Sequence, residues 1–339
     1  MKVNLLTHIP LNDLMDLKID YAFKQLFGNE QTKEITISFL NAILQHSGYE
    51  PIKDLTFNNI EAGGEYKQDK QSRLDLLVLT EKNKKIHVEI QFTNKYDMVK
   101  RSLYYWSGIY RSQLSTGMSY KELNPVITIN ILNFDLFTKA KQYHTTFHLR
   151  DDVANIKLTD CIEMHFIEMS KFIATWKNTQ LDSQKDKLVR WLLLLAMVDH
   201  RNEIVYKDIY KELEGLAVED DKIQHAFKNW ERLSCTEEEM LEYEARFKKV
   251  MDEEAALREA ELREKEAIQR GLKRGLEQGL EQGLEQGLEQ GLEMGLERGK
   301  VKAQELIVKR LLEKQVAIDL IIEITGVSKE RVVELSKKD

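Results

Sequence analysis

Two neighbouring segments constrain this chain more than any others: Lys70-Gln71-Ser72-Arg73-Leu74-Asp75-Leu76-Leu77-Val78 and Ile86-His87-Val88-Glu89-Ile90-Gln91. Each is an apolar run with one carboxylate inside it, and the polar stretch Glu81-Lys82-Asn83-Lys84 joins them. Read as strands, both runs place an acid where its charge must be satisfied, because burying an unpaired carboxylate costs several kcal/mol or forces protonation.

Hydrophobic pattern fixes the register. Side chains alternate along a strand, so Ile86, Val88, Ile90 and Phe92 share one face and His87, Glu89 and Gln91 the other. With Asp75 opposite Glu89, the residues Leu74, Leu76 and Val78 lie opposite Ile90, Val88 and Ile86. That pairing needs an odd-length connection. A three-residue Glu81-Lys82-Asn83 loop supplies it, with Asn83 in the left-handed conformation such loops require. An even loop would send the two acids to opposite faces.

Two carboxylates brought together suit a hard divalent ion, which takes oxygen ligands and keeps several waters. Such an ion acidifies water and stabilises charge on a phosphoryl oxygen. Gln91, one pleat from Glu89, is placed to orient water or phosphate. A salt bridge from Arg73 or Lys85 to the same acids satisfies the spacing equally well, so the pattern alone leaves both readings open.

Further blocks narrow the choice. Asp20-Tyr21-Ala22-Phe23-Lys24-Gln25-Leu26-Phe27-Gly28, Lys70-x-x-Arg73-Leu74-Asp75, Val88-Glu89-Ile90-Gln91 and the stretch from Arg101 through Tyr104-Tyr105 to Gln113 occur in order. Gly117-Met118-Ser119-Tyr120, Pro125 to Asn130 and Asp160 to Phe172 follow. Together they resemble the Rpn family, recombination-promoting nucleases and transposase-related proteins of the PD-(D/E)XK nuclease superfamily. The resemblance covers roughly the first half of the chain. It implies an α/β, restriction-endonuclease-like core, a mixed sheet flanked by helices, with divalent-metal-dependent DNA endonuclease activity and Mg2+ or another divalent cation as cofactor. Asp75 then stands as the motif aspartate, Glu89 as the motif acid, and Gln91 where the superfamily usually has lysine. Lys95, Lys100 or Arg101 is left to supply the missing charge. Asp20 lies in an acidic position of the opening block, as a further metal ligand or a helix N-cap.

Residues 236–300 hold 18 acids and 11 bases, a balance equal to the net charge of −7 for the whole chain. The rest is therefore near neutral, compatible with a local basic face formed from Lys67, Lys70, Arg73, Lys95, Lys100, Arg101 and Arg111, or with a mixed solvated surface. Lys70, Arg73, Arg101 and Tyr105 are the candidate DNA contacts. Aromatics at helical spacing, such as Tyr104, Tyr105 and Tyr110, serve core packing as readily as base stacking. Two cysteines, Cys161 and Cys235, without Cys-x-x-Cys spacing, and no basic-then-apolar leader point to a reducing cytoplasm. No apolar run has spanning length, so no membrane partner is expected. His144, His148 and His165 lack metal-ligand spacing; His87 shares the acid face.

Periodicity predicts a helix over 20–47, a strand over 56–61, a helix over 94–115, a buried strand over 126–132 and another near 161–168. Four divisions follow: 1–175, the nuclease-like domain; 176–235, a helical extension; 236–300, a charged helix and stalk; 301–339, a C-terminal helical hairpin. Met240, Tyr243, Phe247 and Val250 recur at coiled-coil-like intervals.

Within the stalk, glycine recurs at 271, 275, 279, 283, 287, 291, 295 and 299, and leucine follows each of the first seven. Successive glycines step round a helix by about 40°, so the stripes wind in the right-handed sense. Eight interior glycines weaken an isolated helix by roughly 8 kcal/mol relative to alanine. Burial of the leucines, about 1.5–3 kcal/mol each, offsets this in a homo-oligomer; a flexible tether is the other reading. The function expected is a DNA endonuclease linked to recombination, transposition or mobile DNA. The alternative is a catalytically weak, nuclease-like module that binds DNA or protein as an oligomer.

Overall fold

The computed structural model describes residues 5–45, 47–58, 75–94, 97–179 and 181–337. Glu61, Glu65, Lys67, Lys70, Arg73, Leu74 and Lys95 lie outside the described residues. The chain divides into two compact units, Met1–Arg258 and Glu259–Asp339.

In the first unit, α1 (Asp20–Phe27) and α2 (Lys33–Leu44) precede β1 (Leu55–Phe57), β2 (Leu76–Thr80) and β3 (Lys85–Gln91). Helix α3 (Met98–Arg111) leads to β4 (Val126–Leu132), β5 (His144–Phe147) and β6 (Ile162–Glu168). There follow α4 (Met169–Thr179), α5 (Lys187–Ala196), a two-residue ladder of β7 (Val198–Asp199) with β8 (Ile204–Val205), α6 (Lys207–Leu216) and α7 (Asp221–Cys235). Helix α8 (Glu237–Glu313) begins in this unit.

The sheet has the order β1-β2-β3-β4-β6-β5, antiparallel at both edges and parallel across β3, β4 and β6. This is the mixed, helix-flanked sheet that the family resemblance implies. Leu76 pairs with Val88, Leu77 with His87 and Val78 with Ile86. The turn has the expected length: Thr80 N–H bonds Lys84 O at 2.9 Å, and Asn83 takes a φ of 59°. Strand β4 is buried at all seven positions, as a central strand covered on both faces must be.

One face of the sheet, with Val78, Ile86, Val88, Ile127 and Ile129, packs into a large core with Phe27, Phe39, Trp191, Phe227 and Trp230. The rings of Phe27 and Phe39 lie 4.7 Å apart and Trp191 meets both at 5.9 Å. The helices from 187 to 235 thus share the core of the sheet. The opposite face is covered by α3, through Met98, Ile109 and Trp106.

Periodicity predicts one helix over 20–47, and the chain instead forms two. Gly28 ends α1: a Cβ there would lie 2.6 Å from the Lys24 carbonyl oxygen. Asn29 then caps the next turn by accepting from Gln31 N–H at 2.8 Å. Strand β5 and the β7/β8 ladder have no counterpart in the sequence reading, being only two to four residues long.

In the second unit the glycine tetrads are helical throughout. Helix α8 closes at Glu313, just before the left-handed Gln315 (φ 58°). Helices α9 (Ile318–Thr325) and α10 (Lys329–Ser336) fold back on α8, burying Val308, Ile321, Val332 and Leu335. Ser328 caps α10 by accepting from Arg331 N–H at 3.4 Å.

Candidate active site

Strand alternation turns Glu89 toward α3, beside Asn130 on β4, where it is 1 % exposed. Asp75 sits one residue before β2. Continuing the β2/β3 register places it opposite Glu89, and its Oδ2 accepts the Ile90 N–H at 2.8 Å. A side chain thereby takes up a ladder amide and the carboxylate is fixed at the mouth of β3. The two motif acids meet on the face that the sequence pattern selects.

Around Glu89 the partners are uneven. Its Oε1 accepts from Gln91 Nε2 at 3.0 Å and from the guanidinium of Arg101 on α3. Its Oε2 is buried and, among the described residues, makes no hydrogen bond. His87 Nε2 approaches it at 3.3 Å, close enough to count as an ion pair, but the ring is not aimed for a hydrogen bond. A contact so misaligned has little strength. The His87 ring stands edge-on to Tyr105 at 5.7 Å, and the Arg101 guanidinium lies 5.3 Å from the Tyr105 ring centre.

Electrostatics single out Asp75. Burial raises its pKa well above the ordinary carboxylate range, the charges of Glu89 and Asp20 raise it further, and the Ile90 amide and Arg101 oppose the shift. Part of Asp75 remains accessible, yet protein atoms crowd its carboxyl, and that crowding is the largest contribution. A carboxyl whose ionisation is opposed by burial and by neighbouring acids is one that a cation would relieve.

Asp20 opens α1 but does not cap it by side chain. Arg246 on α8 holds it side-on, Nε lying 2.7 Å from Oδ1 and 2.9 Å from Oδ2 while Nη2 also donates to Oδ2. Among the described residues, no three His, Cys, Asp or Glu side chains converge on a point suited to one metal ion. The donor set that does fit a hard divalent ion is the pair Asp75 and Glu89, with Glu89 Oε2 making no hydrogen bond among the described residues.

The remaining expectations sort by position. Lys100 is exposed and pairs with Asp97 at 2.9 Å. Gln113 clamps the loop before β4 through the backbone of Asn124, and Tyr110 stacks on Trp106. Tyr104 is 59 % exposed. The histidines without metal spacing are brought together by β5 and β6: Glu163 bonds His165 at 2.8 Å and His148 at 2.9 Å, and His165 bonds His144 at 2.9 Å. Burial pushes the Glu163 carboxyl up, but hydrogen bonds from His165, Ser47 and His148 outweigh it and hold the pKa at about 2. A cavity of about 390 Å³ lined by Tyr49, Lys82, Lys84 and Ile86 lies near the start of β3, apart from the acids.

Arg246 is the site residue that sequence reading misses. It lies 226 residues from Asp20, in a helix read as part of the stalk, and no local pattern marks it.

A mixed sheet with two strand acids at the end of a β-hairpin, covered by a helix that carries arginine to one of them, defines a nuclease-like α/β core. Residues 17–260 match the PD-(D/E)XK nuclease family transposase, and the chain belongs to that family. The match ends two residues beyond the first compact unit. No curated protein and no solved structure gives a match. No helix among the described residues is long and apolar enough to cross a membrane.

Proposed function

We propose that this chain is a divalent-metal-dependent DNA endonuclease acting in recombination, transposition or related mobile-DNA processes. The observation that carries the reading is the pairing of Asp75 with Glu89 across the β2/β3 register, with Glu89 Oε2 buried and unbonded among the described residues. In this reading the two carboxylates hold Mg2+ or a similar ion. Such an ion, when bound, supplies an acidified water and neutralises charge on the phosphoryl oxygen. Arg101 and Gln91 fix Glu89 in one rotamer. The Gln91 amide orients water or a phosphate oxygen, and Arg101 brings the positive charge for which superfamily members usually use lysine. Lys70, Arg73 and Tyr105 serve as DNA contacts, and Asp20 is a further acid beside the site, engaged by Arg246. The test is nicking of supercoiled plasmid with Mg2+: Asp75→Ala and Glu89→Ala each abolish it, and cleavage that survives either substitution removes the assignment.

One observation favours a second reading, a catalytically weak module that binds DNA or protein. Gln91 is neutral where a cation is usual, and Arg101 is already engaged by Glu89. Salt-dependent DNA binding without cleavage under Mg2+, Mn2+ or Ca2+ selects it.

The repeat is proposed to join copies of the chain. The seven tetrad leucines are 58–75 % exposed, and open space lies over every tetrad glycine. Gly and Leu occupy one half of each turn and Glu and Gln the other, so a second winding helix buries the leucines and leaves the acids outside. Free Cys161 and Cys235 support a reducing cytoplasm as the compartment.

A further inference from the structure

Arg246 is a second arginine bound to an acid of this region, alongside Arg101 on Glu89. Its guanidinium occupies both oxygens of Asp20, and Tyr21 N–H adds a further bond to Oδ1 at 3.0 Å. The same stretch of α8 is anchored at three more points. Glu239 accepts from the Tyr21 hydroxyl at 2.6 Å, Tyr243 meets the Asp16 amide at 3.0 Å, and Glu254 pairs with Arg201. Asp20 opens α1, which packs against β3, the strand that carries Glu89, and its charge acts on Asp75. Yet Asp20 does not converge with Asp75 and Glu89 on one point.

A side-on guanidinium–carboxylate pair is among the stronger polar contacts, and it leaves no oxygen of Asp20 free of a donor. A divalent ion bound by Asp75 and Glu89 therefore meets two carboxylates. If the guanidinium is withdrawn, a third carboxylate adjoins the site, and metal affinity rises with the number of charged ligands. We infer that Arg246 is a positioning residue, a latch that withholds Asp20 from the metal centre and thereby holds down divalent-ion affinity. This rests on the metal-site reading given above, and it adds that the first turns of α8 set how tightly the ion binds.

The experiment is calorimetric titration of the full chain with Mg2+ and Mn2+, without DNA, accompanied by thermal melting. In the Arg246→Gln variant the ion is expected to bind roughly tenfold more tightly. Adding Asp20→Asn to that variant is expected to return the affinity to the starting value. Arg246→Lys keeps the charge but cannot grip both oxygens. It is expected to fall between the two, and it carries the test if Arg246→Gln does not fold. Affinity unchanged or weakened in the folded Arg246 variants overturns the latch. Binding by the unaltered chain that is absent, or that is indifferent to Glu89→Gln, overturns the metal site itself. The two failures are thus distinct.

Discussion

Arg101 and Gln91 converge on the same oxygen of Glu89, one from helix α3 and the other from two residues along β3, while the second oxygen is left without a hydrogen bond among the described residues. A carboxylate held from one side presents the other in a fixed direction. This is how a site prepares for a ligand before the ligand arrives.

Arg101 therefore has two measurable roles. It holds Glu89, and it lowers the pKa of Asp75 against the effects of burial and the neighbouring acids. Replacing Arg101 with Gln is expected to reduce plasmid nicking by about 100-fold at saturating Mg2+, the scale of one lost charge-stabilising donor. The acid limb of the pH–rate profile should also move to higher pH, because Asp75 then holds its proton longer. An unchanged acid limb would show that Arg101 does not act on Asp75.

Asp75 should destabilise the metal-free fold at neutral pH. Its folded pKa is raised, so the native state binds the proton more tightly than the unfolded chain, and stability falls as pH rises from the ordinary aspartate value to the raised one. Asp75→Asn is expected to melt a few degrees higher than the unaltered protein in chelator at pH 7, about 2–4 °C on the usual scale. The substitution should also lose the melting increment given by Mg2+. Scanning calorimetry with and without Mg2+ reads both.

Glu163 behaves in the opposite sense. Its folded pKa of about 2 lies below the ordinary 4.5, so its contribution is fully present above 4.5 and disappears as pH falls toward 2. The shift corresponds to about 3 kcal/mol for this fully buried group. Glu163→Gln is expected to cost a comparable amount in urea unfolding at pH 7 and to flatten the acid limb of the stability profile. Since Glu163 lies apart from Asp75 and Glu89, folded Glu163→Gln protein should keep its Mg2+ affinity.

Self-association through the tetrads predicts a mass change. Leu280→Glu with Leu288→Glu places two acids in the apolar half of the helix. Light scattering should then show a smaller particle, with melting of the first unit unchanged. A particle mass equal to that of the unaltered protein would leave the exposed leucines without an assembly role.

Much of the site was legible from residue order alone. The alternation of Leu76, Val78, Ile86, Val88 and Ile90 fixed the β2/β3 pairing, and Asn83 supplied the turn that the pairing needs. These are short-range facts, settled within 20 residues. What escaped was long-range or broken by a single atom. Arg246 meets Asp20 through the docking of α8, which no local pattern encodes. His144, His148 and His165 look unrelated in sequence and become a network with Glu163 through the antiparallel pairing of β5 with β6. The break at Gly28 was missed because apolar spacing continues across it, while the close approach to the Lys24 carbonyl is invisible to periodicity.

Tyr243 is 2 % exposed, and its hydroxyl links the Asp16 amide to His200 Nδ1 at 2.6 Å. It lies on α8, eight residues past the end of α7. The smallest fragment able to fold as the first unit therefore cannot stop at Cys235. It must include Tyr243, or the Asp16 amide and His200 lose their buried hydrogen-bond partner.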